Sequence, residues 1–176
     1  PGTWEHCECV HEELFQGYLS DIMPMERWDK YKYLKDSVLT GLIRKNMECA
    51  ICTPPEDGKF VVFYSHLKTA LRSSFFKRAE DGKRPVSCRV MEAGDLTEIL
   101  YDKPMGWSDK RDMLAAPDLL VIMAPSFKHF EAFFVELENL ISSRSQSNSA
   151  TWLVSNDFDK LKNPEFRVPT SFRQFL

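Results

Sequence analysis

The feature that most constrains this chain is an uninterrupted apolar run, Leu119-Leu120-Val121-Ile122-Met123, entered through Asp118 and left through Ala124-Pro125. A strand with one wet face alternates polar and apolar side chains. A short strand without that alternation is covered on both faces, as in a parallel sheet whose crossovers lay helices on each side. Three other segments fit the same role: Met47–Cys52, Val86–Met91 and Thr151–Ser155. Helical patterns separate them. Phe60–Lys77 is long and amphipathic, Asp95 opens a short helix to Tyr101, and Phe127–Arg144 places Phe130, Phe134, Leu137 and Ile141 at helical spacing.

Two helices precede the first strand. Val10–Asp21 carries Leu14, Tyr18 and Ile22 with Phe15 and Leu19 beside them, and Pro24 closes it. Met25–Tyr33 reads as an ordered aromatic and basic connector. Leu34–Lys45 follows, with Val38, Leu39, Leu42 and Ile43 expected on its buried stripe. The expected organisation is an N-terminal segment, 1–33, and an α/β core, 34–176, with about four to five parallel strands flanked by helices.

Composition narrows the function. The chain has 176 residues, 43% of them apolar, enough for one sizeable core. A net charge of −3 gives no bulk positive field for non-specific nucleic-acid binding. No apolar run approaches the roughly 20 residues that cross a bilayer, and the N-terminus lacks the pattern of a signal peptide. Five cysteines make an odd set, so reduced thiols and a cytoplasmic setting are expected.

The turn after the first strand candidate carries the strongest chemical signal. A phosphate-binding loop reads G-x-x-x-x-G-K-[ST] between a strand and a helix. Here the window is Thr53-Pro54-Pro55-Glu56-Asp57-Gly58-Lys59-Phe60. Its place is right, and so are Gly58 and Lys59. Glu56 and Asp57 put two carboxylates where phosphates would lie, and Phe60 replaces the hydroxyl that ligates Mg²⁺. A strand–turn–helix connection needs no nucleotide history to look this way. The Leu119–Met123 run adds the second clue: it ends in Met123-Ala124-Pro125, where an ATPase strand ends in carboxylates that hold Mg²⁺.

Read in order, these segments resemble the AAA+ domain of bacterial and phage replicative helicase loaders, the DnaC- and DnaI-like family. That family's loop usually reads G-P-P-G-T-G-K-T, of which Pro54-Pro55 and Gly58-Lys59 persist. Pro117–Ile122 resembles its Walker B strand with both acids replaced. Ile141-Ser142-Ser143-Arg144 is similar to the end of the helix after it, and Thr151–Asn156 to the sensor-1 strand. Cys7-Glu8-Cys9, a helix, and then Ile22–Trp28 resemble the family's N-terminal segment. The resemblance covers most of residues 4–160, and no motif in it is intact.

It implies an AAA+-like fold with a degenerate P-loop: a pseudo-ATPase that binds a replicative helicase or another component of DNA replication. Gly58, Lys59 and Asn156 would be remnants of the nucleotide site, with no catalytic residue left. No cofactor is expected, and ATP binding is less securely lost than hydrolysis. An atypical ATPase would need a substitute Mg²⁺ carboxylate, for which Asp57 and Asp95 are the candidates. Arg167 and Arg173 are the only candidates for a trans-acting arginine.

Other clusters carry weaker signals. Cys7 and Cys9, with His6 and His11 nearby, could give part of a tetrahedral zinc site completed by ligands outside this segment; the plainer reading is a cysteine-bearing chain start. Cys49 and Cys52 fall on a strand and should point to opposite faces. Arg72, Lys77 and Arg78, with Phe75 and Phe76 for base stacking, suggest a single-stranded nucleic-acid adaptor. The competing reading is a solvated helix end with core phenylalanines. His66 and His129 have no evident partner, and Trp4, Trp28, Trp107 and Trp152 read as core anchors.

Overall fold

The computed structural model describes residues 8–53, 60–101, 112–124 and 134–156. Strands β1 (Cys49–Cys52), β2 (Cys88–Glu92), β3 (Leu119–Ala124) and β4 (Ala150–Ser155) form one sheet in the order β1-β4-β3-β2, every pair parallel. Helices α1 (Glu8–Ile22), α2 (Met25–Trp28) and α3 (Leu39–Lys45) precede it. Helices α4 (Val61–Glu80), α5 (Ala93–Tyr101) and α6 (Phe134–Gln146) fill the three crossovers. The chain is therefore an α/β protein with a parallel sheet flanked by helices, an arrangement compatible with a P-loop-like fold.

The two-residue period of the strands divides the core in two. Leu119, Val121 and Met123 of β3, with Ala150, Trp152 and Val154 of β4, face a cluster built by α1, α3 and α4. Leu120, Ile122, Ala124 and Leu153 face the opposite cluster, with Leu96 of α5 and Leu137 and Ile141 of α6. All twelve residues of β3 and β4 are buried. Burying a side chain such as Leu120 or Ile122 contributes about 1.5–3 kcal/mol; β3 is apolar throughout, and the two polar residues of β4, Thr151 and Ser155, are buried with the rest.

The N-terminal segment shares the first cluster. Phe15 packs edge-on to Phe75 at 5.3 Å, and Tyr31 stacks on Tyr64 at 4.6 Å. Trp28 is fully buried and its indole N–H donates to the Leu19 carbonyl at 2.9 Å. Lys68 lies inside the buried stripe of α4. Its ammonium donates to the carbonyls of Trp28 and Tyr31 at 2.9 and 3.2 Å and sits 4.5 Å over the Tyr33 ring. Burial pulls the Lys68 pKa down, although Asp29 and Glu12 oppose that shift.

Several details differ from expectation. The helix expected over Leu34–Lys45 begins at Leu39; ahead of it the Leu34 N–H donates to the Thr69 hydroxyl at 2.9 Å, and the Ser37 hydroxyl accepts from the Leu39 N–H at 3.2 Å. Val38 is consequently 78% exposed, not buried. In α1 the inward stripe is Phe15 and Leu19, and Leu14 is exposed. α4 runs past Lys77 to Glu80, where Gly82 at φ 64 ends it: the N–H groups of Gly82 and Lys83 return to the carbonyls of Ala79 and Arg78 at 3.0 and 2.8 Å. β2 starts at Cys88 because Val86 is drawn to α1, its carbonyl accepting from the Tyr18 hydroxyl at 2.7 Å.

Opposite the carboxyl ends of the strands, one arginine ties the layers together. Arg144 is 1% exposed. Its guanidinium donates to the carbonyls of Leu114, Pro117 and Ala150 at 2.7, 2.9 and 2.7 Å, and to the Thr151 hydroxyl at 2.9 Å. Burial lowers its pKa to about 10. Nearby, Asp118 accepts both guanidinium arms of Arg84 at 2.7 Å and the Ser87 N–H at 2.8 Å. Burial alone would raise the Asp118 pKa, but Arg84 and Ser87 outweigh it and hold the carboxyl below its ordinary value. Among the described residues no helix is long and apolar enough to cross a membrane.

Candidate functional site

In an open parallel sheet, ligands bind beyond the carboxyl ends of the strands, where successive crossovers leave for opposite faces. The strand order sets that place. From β1 the chain crosses to the far edge through α4 on the first face. From β2 and β3 it steps back one strand at a time through α5 and α6 on the second face. That switch point lies at the ends of β1, β4 and β3, which are level: Ser155 pairs with both Cys52 and Ala124.

Thr53 follows β1 at this edge. Its N–H donates to the Ser155 carbonyl at 3.0 Å, extending the ladder by one rung, and its hydroxyl donates to the Asn156 side-chain oxygen. Thr53 and Ser155 are 4% and 0% exposed. The pair closes the gap between the ends of β1 and β4, so Asn156 is held by protein and not presented alone. Gly58 and Lys59, with Glu56 and Asp57, lie outside the described residues.

Phe60, at the position of the expected Mg²⁺-ligating hydroxyl, takes a left-handed conformation at φ 54 ahead of α4 and is buried in the first cluster. A phenyl ring committed to the core cannot offer a metal ligand. Met123 and Ala124 end β3 at 2% and 0% exposure and face opposite clusters. No carboxylate ends β1, β3 or β4 among the described residues.

Asp95 does not substitute. Its carboxylate accepts the Glu92 N–H at 3.3 Å in the first turn of α5, beside β2. β2 is three strand positions from β1, roughly 14 Å at the usual inter-strand spacing. Sequence order placed Asp95 near the loop only because the crossover was not visible.

The other predicted residues lie elsewhere. Cys7 is outside the described residues; Cys9 is exposed at the start of α1. Among the described residues no group of three or more metal-type side chains comes together. Cys49 is buried and Cys52 exposed, both as free thiols. Burial pushes the Cys49 and Cys88 thiols up to about 12.

Arg72 bonds Glu12 at 3.0 Å and lies 4.9 Å over Phe76; Lys77 pairs with Glu80 and Asp81; the Arg78 guanidinium donates to the Arg84 carbonyl at 2.6 Å. Phe75 is 8% exposed and packed against Phe15 and Tyr18, so it is a core residue and cannot stack on a base. His66 has Ser37 as its partner. Trp28 and Trp152 are fully buried anchors; Trp4, Trp107, His129, Arg167 and Arg173 lie outside the described residues.

Sequence reasoning missed Lys68 as a clasp. The available signal was a lysine inside an apolar stripe, between Leu67 and Leu71. No family model matches the chain, and no curated protein matches it.

Proposed function

We propose that this chain is a helicase-loader-like interaction protein that binds a replicative helicase or another component of DNA replication without hydrolysing ATP. One observation carries the reading: among the described residues no carboxylate ends β1, β3 or β4 at the carboxyl edge of a P-loop-compatible sheet. Phe60 occupies the hydroxyl position from inside the core, and β3 ends in buried Met123 and Ala124. Mg²⁺ requires hard oxygen ligands, and metal-dependent phosphoryl transfer requires Mg²⁺. A fold can lose such chemistry and keep its surfaces, because function resides in sites carried on the scaffold. The ordered motifs that resemble the loader family supply the choice of partner.

The test is size-exclusion chromatography of the chain with a replicative helicase from the same source, run with and without ATP and Mg²⁺. Co-elution independent of nucleotide is the expected result. ATP turnover by the chain that disappears in Lys59→Ala would overturn the proposal.

A further inference from the structure

Helix α1, residues 33–35 and α4 enclose an open groove of about 1090 Å³, and a pocket of about 220 Å³ adjoins it between α3 and the end of α4. Arg44 and Lys77 line both, so the two make one continuous track. Six cations border it: Lys35, Arg44, Arg72, Lys77, Arg78 and Lys83. Three carboxylates accompany them, Glu12, Glu80 and Asp81. The whole chain carries −3, so positive charge is concentrated here against the general balance.

The cations are not equally committed. Arg72 and Lys77 are bound to the three carboxylates, and Arg78 to the Arg84 carbonyl. Lys35, Arg44 and Lys83 have no ion pair among the described residues. The aromatic part of the wall is Tyr33, 43% exposed, and Phe76, with the Arg72 guanidinium over both rings at 5.5 and 4.9 Å.

We propose that this track binds an acidic, aromatic-bearing peptide segment of the partner protein, with Lys35, Arg44 and Lys83 taking its carboxylates and the Tyr33–Phe76 wall its aromatic side chain. The inference rests on the protein-binding reading above. Charge complementarity selects the occupant. A nucleic-acid strand carries one negative charge at every repeat and would be drawn past Glu12, Glu80 and Asp81. A peptide can set carboxylates against the three uncommitted cations and neutral groups against the paired ones, which is how interfaces obtain specificity from charge.

The probe is a fluorescein-labelled glutamate-rich peptide carrying one phenylalanine, followed by fluorescence anisotropy. The wild-type chain is expected to bind it, and to release it as salt rises from about 0.05 M to about 0.5 M. Lys35→Glu with Arg44→Glu is expected to weaken binding at least about tenfold. Lys30→Glu with Lys32→Glu makes the same charge change on exposed residues outside the track and is expected to stay within about twofold. All four residues are exposed, and matching thermal melts secure the fold of both variants. Arg44→Gln is expected to weaken binding in the same direction.

Absence of peptide binding at low salt overturns the proposal, as does equal weakening by the two variant pairs. Tighter binding of a charge-matched oligothymidylate assigns the track to nucleic acid instead. A Lys35→Glu, Arg44→Glu variant that co-elutes with the helicase as the wild type does overturns the track and leaves the protein-binding reading standing.

Discussion

Replacing Arg144 by Met isolates the contribution of one buried cation. The methionine fills much of the same space without a donor, so the carbonyls of Leu114, Pro117 and Ala150 and the Thr151 hydroxyl lose their partner in a site that is 1% exposed. Each buried acceptor stripped of its donor costs about 1–3 kcal/mol. Four of them at the low end give about 4 kcal/mol, and the release of the guanidinium from a site that lowers its pKa to about 10 offsets part of this. The expected net loss is about 3 kcal/mol, a large share of the roughly 5–15 kcal/mol by which domains are stable. Urea unfolding followed by circular dichroism reads it directly, as a lower midpoint at constant slope. Arg144→Lys, which reaches fewer of the acceptors, should fall between. An Arg144→Met unfolding free energy within about 0.5 kcal/mol of wild type would refute the view that this residue joins α6 to the starts of β3 and β4.

Three further outcomes follow from the same geometry. The Asp118 carboxyl titrates below its ordinary value of 3.8, so its contribution is fully present above that pH and is lost as pH falls through the folded value; Asp118→Asn should flatten the acid limb of a stability–pH curve, and an unchanged limb would argue against the Arg84–Asp118–Ser87 network. Lys68→Met removes two charged hydrogen bonds, to the carbonyl of Trp28 at the end of α2 and that of Tyr31 beyond it, and should cost about 2–3 kcal/mol, with faster tryptic cleavage at Lys30 and Lys32; wild-type cleavage rates would show that Lys68 does not hold that segment. Mass-mapped alkylation at mildly alkaline pH should modify Cys9 and Cys52 before Cys49 and Cys88, whose thiols burial raises to about 12; the reverse order would contradict their placement.

The sequence by itself determined the layers. Continuous apolar strands such as Leu119–Met123 can be satisfied only by cover on both faces, and the helical stripe of Leu137 and Ile141 supplies cover at the right spacing. It also determined what two positions cannot supply, because a side chain without oxygen lacks it in any fold: the side chains of Phe60 and Met123 needed no structure to exclude them as Mg²⁺ ligands. Tertiary structure alone decided who stands beside whom. Strand order put β2 at the far edge and carried Asp95 away from β1, and β4 between β1 and β3 brought Asn156 to Thr53 across more than a hundred residues of sequence. The start of α3 at Leu39 and the outward turn of Val38 were likewise visible only in the fold. The partners of Lys68 and most of those of Arg144 are backbone carbonyls, and a backbone acceptor leaves no mark on residue identity. Periodicity records the face a side chain shows. It does not record which neighbours the crossovers bring to that face, and at the carboxyl edge of this sheet those neighbours make the candidate site.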